Sequence, residues 1–279
     1  VSGLTKNQED SMGLENKVAL MIGASRGMGK RMALELAEEG ADIVVAARTE
    51  RPDQSAVSGT IAQTADEVRA LGRRALPVKV DLAVGQEIED MYRKAVDAFG
   101  GIDILVHSVQ YMGPGYLSAF LDTTVEQLEM QLKVNLLSAM HATKLVAQQM
   151  IKRGGGTIIL ISSAAGTIEN PNMPGDGSTG LGYPVTKAGL NRFVRAVEKE
   201  LRPHNIAVIA VDPGFTLSEH VREGATGNEY HGWPLEWAHG VEVPAKTVRY
   251  LCTSSDPMSY SGKVVVAADF VKEHGLVPM

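Results

Sequence analysis

A chain of 279 residues, 44% hydrophobic and 22% charged, is long enough to bury a full core and has the composition of a globular protein. Its formal net charge of −6, with no cluster of Lys and Arg, speaks against a nucleic-acid surface. The single cysteine, Cys252, excludes an intramolecular disulfide and fits a reducing compartment; with no signal-peptide pattern and no long apolar run, the expectation is a cytoplasmic protein with no membrane partner.

Residues 1–11 are polar and read as a disordered tail or an expression scar, with Met12-Gly13 offering a native start. From Lys17 on, short apolar runs alternate with longer helical patterns. The runs fall at 18–23, 42–47, 75–80, 102–107, 157–162, 206–211 and 263–268. The segment 29–40 reads as an amphipathic helix closed by a glycine, and further helices are expected near 59–72, 85–99, 124–152, 186–202 and 244–254. Apolar runs without polar alternation, separated by helices, predict an α/β fold: a doubly wound parallel (Rossmann) sheet of about seven strands, helices on both faces. No second core is signalled, so residues 12–279 are expected to form one domain. Two stretches rich in glycine and polar residues, 164–182 and 215–241, read as loops over a ligand site.

Chemistry is concentrated at a few positions. "GASRGMG" follows the first predicted strand and opens a helix, placing Gly23, Gly27 and Gly29 where a tight turn can bring backbone amides to a pyrophosphate. Without a ligand, the same triplet is merely a strand-to-helix turn. Far downstream, "YPVTK" sets Tyr183 and Lys187 one helical turn apart. No histidine pair has metal-ligand spacing and Cys252 stands alone, so no metal is expected.

With Gly23-x-x-x-Gly27-x-Gly29, "VDL" at 80–82, "GGIDILV" at 100–106, Asn135, "ISSAAG" at 161–166, "YPVTK" and "DPG" at 212–214, the chain resembles the short-chain dehydrogenase/reductase family in its single-domain branch. The resemblance covers roughly residues 14–270 and implies a catalytic set of Asn135, Ser163, Tyr183 and Lys187. Tyr183 would be the general acid/base, Lys187 would lower its pKa and bind the nicotinamide ribose, Ser163 would hold the substrate oxygen, and Asn135 would hold a water linking Lys187 to solvent. Serines alternate faces on a strand, so Ser162 should point away from the site. The implied cofactor-binding set is Gly23, Ser25, Arg26, Gly27, Met28, Gly29, Arg48, Asp81, Leu82, Pro213 and Gly214, together with Tyr183 and Lys187.

Ala47 stands where NAD-preferring relatives carry an acid, and Arg48 follows it. Arg26 adds a second guanidinium, so NADP(H) is expected before NAD(H). Met112, Tyr116, Leu181, Phe215, Trp233 and Trp237 are expected at the mouth, for a small apolar carbonyl or alcohol substrate. The implied activity interconverts a secondary alcohol and a ketone, in a homo-oligomer, most simply a tetramer. The rivals are a non-catalytic NADP-binding sensor or scaffold, against which Tyr183 and Lys187 both stand, and an enoyl reductase, whose Tyr and Lys are usually spaced more widely.

Departures from the family pattern are equally specific. "HSVQ", His107 to Gln110, replaces the usual Asn-Asn-Ala-Gly, and His107 is expected to be structural. The stretch between Ser163 and Tyr183 is longer than usual. The connection at 49–59 is also lengthened, as in hydroxysteroid-dehydrogenase-like members.

Overall fold

The computed structural model describes residues 13–169, 172 and 178–277, so the proposed N-terminal tail and part of the 164–182 stretch lie outside the described residues. The first half of the chain alternates strictly: β1 (Val18–Ile22), α1 (Gly27–Glu38), β2 (Asp42–Ala47), α2 (Ile61–Ala70), β3 (Ala75–Lys79), α3 (Gly85–Phe99) and β4 (Ile104–His107). The second half adds α4 (Val125–Leu132), α5 (Ser138–Arg153), β5 (Gly156–Ile161), α6 (Gly182–Leu201) and β6 (Ile206–Asp212). It closes with α7 (Glu219–Glu223), a hairpin of β7 (Glu229–Tyr230) and β8 (Trp233–Pro234), α8 (Glu242–Thr253), β9 (Val264–Val266) and α9 (Ala267–Glu273).

Seven strands form one parallel sheet in the order β3-β2-β1-β4-β5-β6-β9. The uninterrupted apolar runs make sense because successive side chains feed two layers. Ala19 and Met21 of β1 pack with Met32 and Leu36 of α1, whereas Leu20 and Ile22 join the layer containing Met91 of α3 and Val146 of α5. Pro77 is tolerated because β3 is an edge strand. The order reverses beside β1, and this switch point places the ligand crevice outside the C-terminal strand ends.

Three expectations need correction. The helix expected at 124–152 is interrupted by a π-helical turn, Lys133–Leu137, which carries Asn135 between α4 and α5. The 215–241 stretch is not simply loop: it holds α7 and the β7–β8 hairpin, whose His231-Gly232 turn has both φ angles positive. The last apolar run stops being strand after Val266, and Ala267 opens α9.

Candidate active site

The ends of six strands surround a cavity of about 1070 Å³. Ile22, Ala47 and Val80 mark it on one side of the switch point, and Ser108, Ser163 and Asp212 on the other. Its floor is made by the glycine turn. Gly23 has φ +89°, and a Cβ there would lie 2.1 Å from the Ser108 carbonyl oxygen; a Cβ at Gly29 would lie 2.2 Å from the carbonyl oxygen of Gly23. Glycine is therefore required for β1 and α1 to approach so closely.

α1 starts at Gly27 with no acidic residue in its first turn. Its free amide end nevertheless holds an anion, because Gly27 N–H donates to Glu219 Oε2 of α7 at 2.7 Å. Glu223 of α7 accepts from the Ser58 hydroxyl at 2.7 Å, tying α7 to the connection after β2. The predicted residues Ser25, Arg26, Met28, Arg48, Asp81 and Leu82 all line the cavity, as do Pro213 and Gly214. Asp81 is held by its own turn, with Oδ1 accepting from Ala83 N–H at 2.9 Å.

Arg26 does not extend freely into this space. Its guanidinium donates to Ser55 Oγ (2.7 Å), Thr49 Oγ1 (3.0 Å) and the Gly59 carbonyl (2.8 Å). Burial lowers its pKa from the usual arginine value; Glu219 and Glu223 oppose that shift and the neighbouring Arg48 adds to it. Arg48 is exposed, and among the described residues it has no ion pair.

At the other end lies the tyrosine. Thr186 and Lys187 are buried on the inner face of α6, and Tyr183, one turn before Lys187, lines the cavity. Ser163 and Tyr183 both line the cavity; burial raises the phenol to about 12, Ser163 lowers it and Asp212 raises it. Ser162 faces away as expected, donating to Asn191 Oδ1 at 2.6 Å. The ammonium of Lys187 lies 5.6 Å from the Tyr183 ring centroid but donates to the carbonyl oxygens of Ile161 (2.7 Å) and Val109 (3.5 Å). Burial lowers it to about 8, and Asp212 opposes that fall. The lowering of the phenol comes here from Ser163, while the Lys187 ammonium is turned to the two carbonyls.

Asn135 is buried, accepts from Tyr111 N–H (2.6 Å) and donates to Thr186 Oγ1 (3.4 Å). It links the segment after β4 to the helix carrying Tyr183 and Lys187. The π turn puts it there, as such turns often do at functional sites. His107 is buried, with Nε2 2.9 Å from Ser138 Oγ. Because that hydroxyl already donates to the Val134 carbonyl, the ring nitrogen must be the donor. Burial, and then the Lys187 charge, push His107 down to about 3, so its ring is neutral at ordinary pH.

Of the predicted mouth residues, Met112, Tyr116, Phe215 and Trp233 line the cavity. Leu181 and Trp237 do not: Leu181 precedes α6 facing outward, and Trp237 is 63% exposed with its ring against Trp233. The sequence reading missed His220, Tyr230 and His231, which α7 and the hairpin bring to the cavity, and Gln110, which donates to the Tyr116 hydroxyl at 2.7 Å. Among the described residues, no cluster of His, Cys, Asp and Glu is arranged to hold a metal ion, and no helix is long and apolar enough to cross a membrane.

Comparison with known proteins agrees with this geometry. The family model for short chain dehydrogenases matches residues 17–228. An L-rhamnose 1-dehydrogenase (NAD(P)(+)) of Sphingomonas sp. is 36% identical over 208 residues, covering 74% of this chain and 75% of the relative. A hydroxysteroid dehydrogenase-like protein 2 of Danio rerio is 30% identical over 92% of this chain, which spans only 58% of that relative's length. Among solved structures, a 7α-hydroxysteroid dehydrogenase complexed with NADH and 7-oxo glycochenodeoxycholic acid superposes with a TM-score of 0.77 at 27% identity, covering 92% of this chain and 95% of the other.

Proposed function

This chain belongs to the short-chain dehydrogenase family, and on that premise we propose that it interconverts a secondary alcohol and a ketone with NADP(H), Tyr183 serving as general acid/base. The observation that carries the reading is that Tyr183 and Ser163 face one cavity, with Lys187 one turn deeper on the same helix. The dinucleotide fits by two features of the site. The Gly27 amide already donates to a carboxylate anion, and one cavity is lined from the glycine turn to Tyr183. Gly27 and Met28 would hold the pyrophosphate, Asp81 the adenine end, and Lys187 the ribose next to the nicotinamide. When bound, the cofactor supplies or accepts the hydride.

The chain's own residues manage the oxygen and its proton. Ser163 and Tyr183 together present two hydroxyls to a carbonyl oxygen. In reduction the protonated phenol donates; in oxidation the phenolate accepts. A phenol held high favours reduction at neutral pH, and oxidation should gain rate as pH rises, because only then is the base populated. Met112, Tyr116, Phe215 and Trp233 support an apolar substrate of moderate size.

The test is a screen of ketones and secondary alcohols, steroids included, with NADPH and NADP+. Turnover of one class supports the reading. Cofactor binding with no turnover of any pair would favour the sensor or scaffold instead.

His107→Asn is expected to leave activity near wild type, since the imidazole is neutral and engaged with Ser138. A collapse in turnover at an unchanged thermal midpoint would assign the ring a catalytic part. A homo-oligomer, most simply a tetramer, belongs to the same proposal: Leu137, Met140 and Ile151 leave apolar surface on and beside α5. Light scattering that gives a monomer at micromolar concentration would remove it. A cytoplasmic location rests on the lone buried Cys252.

A further inference from the structure

Gln110 stands where the family pattern has glycine, and the proposed proton chemistry gives it no part. It lines the cavity, and its amide Nε2 donates to the Tyr116 hydroxyl at 2.7 Å. A phenol hydroxyl has one proton to give and two lone pairs to accept with. With one lone pair taken by Gln110, the proton is left to donate, and among the described residues none accepts it. Reversing the amide would leave a Gln110 N–H as the spare donor instead, so the pair presents a donor to the cavity in either arrangement.

This donor is held in place. Tyr116 N–H donates to the Gly113 carbonyl at 3.1 Å, and the Tyr116 carbonyl accepts from Gly180 N–H at 2.7 Å. The Tyr116 ring meets the Tyr183 ring edge to face, with 5.9 Å between centroids. Gln110 is fixed through both neighbours: the Val109 carbonyl accepts from the Lys187 ammonium at 3.5 Å, and Tyr111 N–H donates to Asn135 Oδ1 at 2.6 Å. Beside the main cavity lies a smaller one of about 330 Å³, and Tyr116 lines both. A molecule reaching from Tyr183 into that second space passes Tyr116.

We propose that Tyr116, oriented by Gln110, selects the substrate: its hydroxyl donates to a second oxygen within a few bonds of the reacting carbonyl. The class is a ketone that carries such an acceptor, rather than a plain ketone. This rests on the proposed alcohol–ketone chemistry at Tyr183 and narrows its substrate. Rings in edge contact let one small molecule reach both hydroxyls. A plain ketone would press hydrocarbon against the Tyr116 donor and displace its water without replacing the bond, so the site discriminates against it.

The test compares butoxyacetone with methyl hexyl ketone, which differ by one ether oxygen in place of one methylene. Each is assayed with NADPH for kcat/KM. Its affinity for the NADP+ complex, where no hydride can move, is read by isothermal titration calorimetry. Intrinsic reactivity cancels when the ether-to-ketone ratio is compared between proteins. Wild type should favour the ether. Tyr116→Phe keeps the ring and deletes the donor, and should lower the ratio by about tenfold in affinity as well as in kcat/KM. Gln110→Leu, which frees the hydroxyl to turn, should lower it in the same direction. A ratio unchanged in Tyr116→Phe overturns the inference; should that variant not fold, an unchanged ratio in Gln110→Leu does so. Wild type that binds the two probes equally, or binds neither, also overturns it. A ratio of affinities that falls in the variants, without turnover of either probe, would remove the oxidoreductase reading and leave Tyr116 as the selecting residue. Turnover of both probes at a ratio the variants do not change would remove the role of Tyr116 alone.

Discussion

Tyr183→Phe should retain its fold and its cofactor affinity while losing nearly all turnover. The substitution deletes one hydroxyl, which shares the cavity wall with Ser163. The ring keeps its edge contact with Tyr116 at 5.9 Å between centroids, so packing along α6 survives and the thermal midpoint should move little. What disappears is a hydroxyl that stands beside Ser163 at the cavity wall and can give or take a proton. General acid–base contributions run to about 10²–10⁴-fold, and the loss should fall in that range. The check pairs steady-state rates with a cofactor titration of the same preparation. Activity within a few-fold of wild type would show that another group handles the proton.

The second large effect concerns the cofactor. Ala47 ends β2 opposite Lys79 of β3, so no carboxylate stands at this strand end to accept from a ribose 2′-hydroxyl. Arg26 and Arg48 are neighbours, yet the structure divides their roles. Arg26 is committed to Ser55, Thr49 and Gly59, and lies near Glu219 and Glu223; Arg48 is exposed at the cavity edge. Arg48→Ala should therefore weaken NADPH by about ten- to a hundred-fold, from roughly 1.5–3 kcal/mol for a charged hydrogen bond, and leave NADH almost unaffected. Ala47→Asp should move preference toward NADH by placing a carboxylate where the phosphate would sit. Paired titrations of both cofactors against wild type and the two variants measure this. Tighter NADH than NADPH binding by wild type would reverse the reading.

The sheet was largely legible because a strand buried on both faces writes itself as a continuous apolar run; DIVVAA, at 42–47, is β2 residue for residue. Features that depend on one residue more or less were not legible. The π turn at Lys133–Leu137 leaves helical periodicity nearly untouched, and α7 is too short to show any. Tyr183, Ser163 and Lys187 could be found from their motif, and the face of Ser162 from strand alternation. Glu219 could not. It meets Gly27 across 192 positions. Leu181 and Trp237 were misplaced for a related reason: composition marks a segment as lying near the mouth without fixing which way each side chain turns.

Glu219 on the amide of Gly27 also changes what cofactor affinity would measure. A phosphate arriving at α1 would not fill an idle donor; it would substitute for a carboxylate already held at 2.7 Å. The observed affinity is then a difference between two anions' hold on one helix end. The displaced group belongs to a five-residue helix whose other glutamate grips Ser58. On the proposed function, pyrophosphate recognition at the glycine turn and the seating of the segment above it would be one coupled equilibrium.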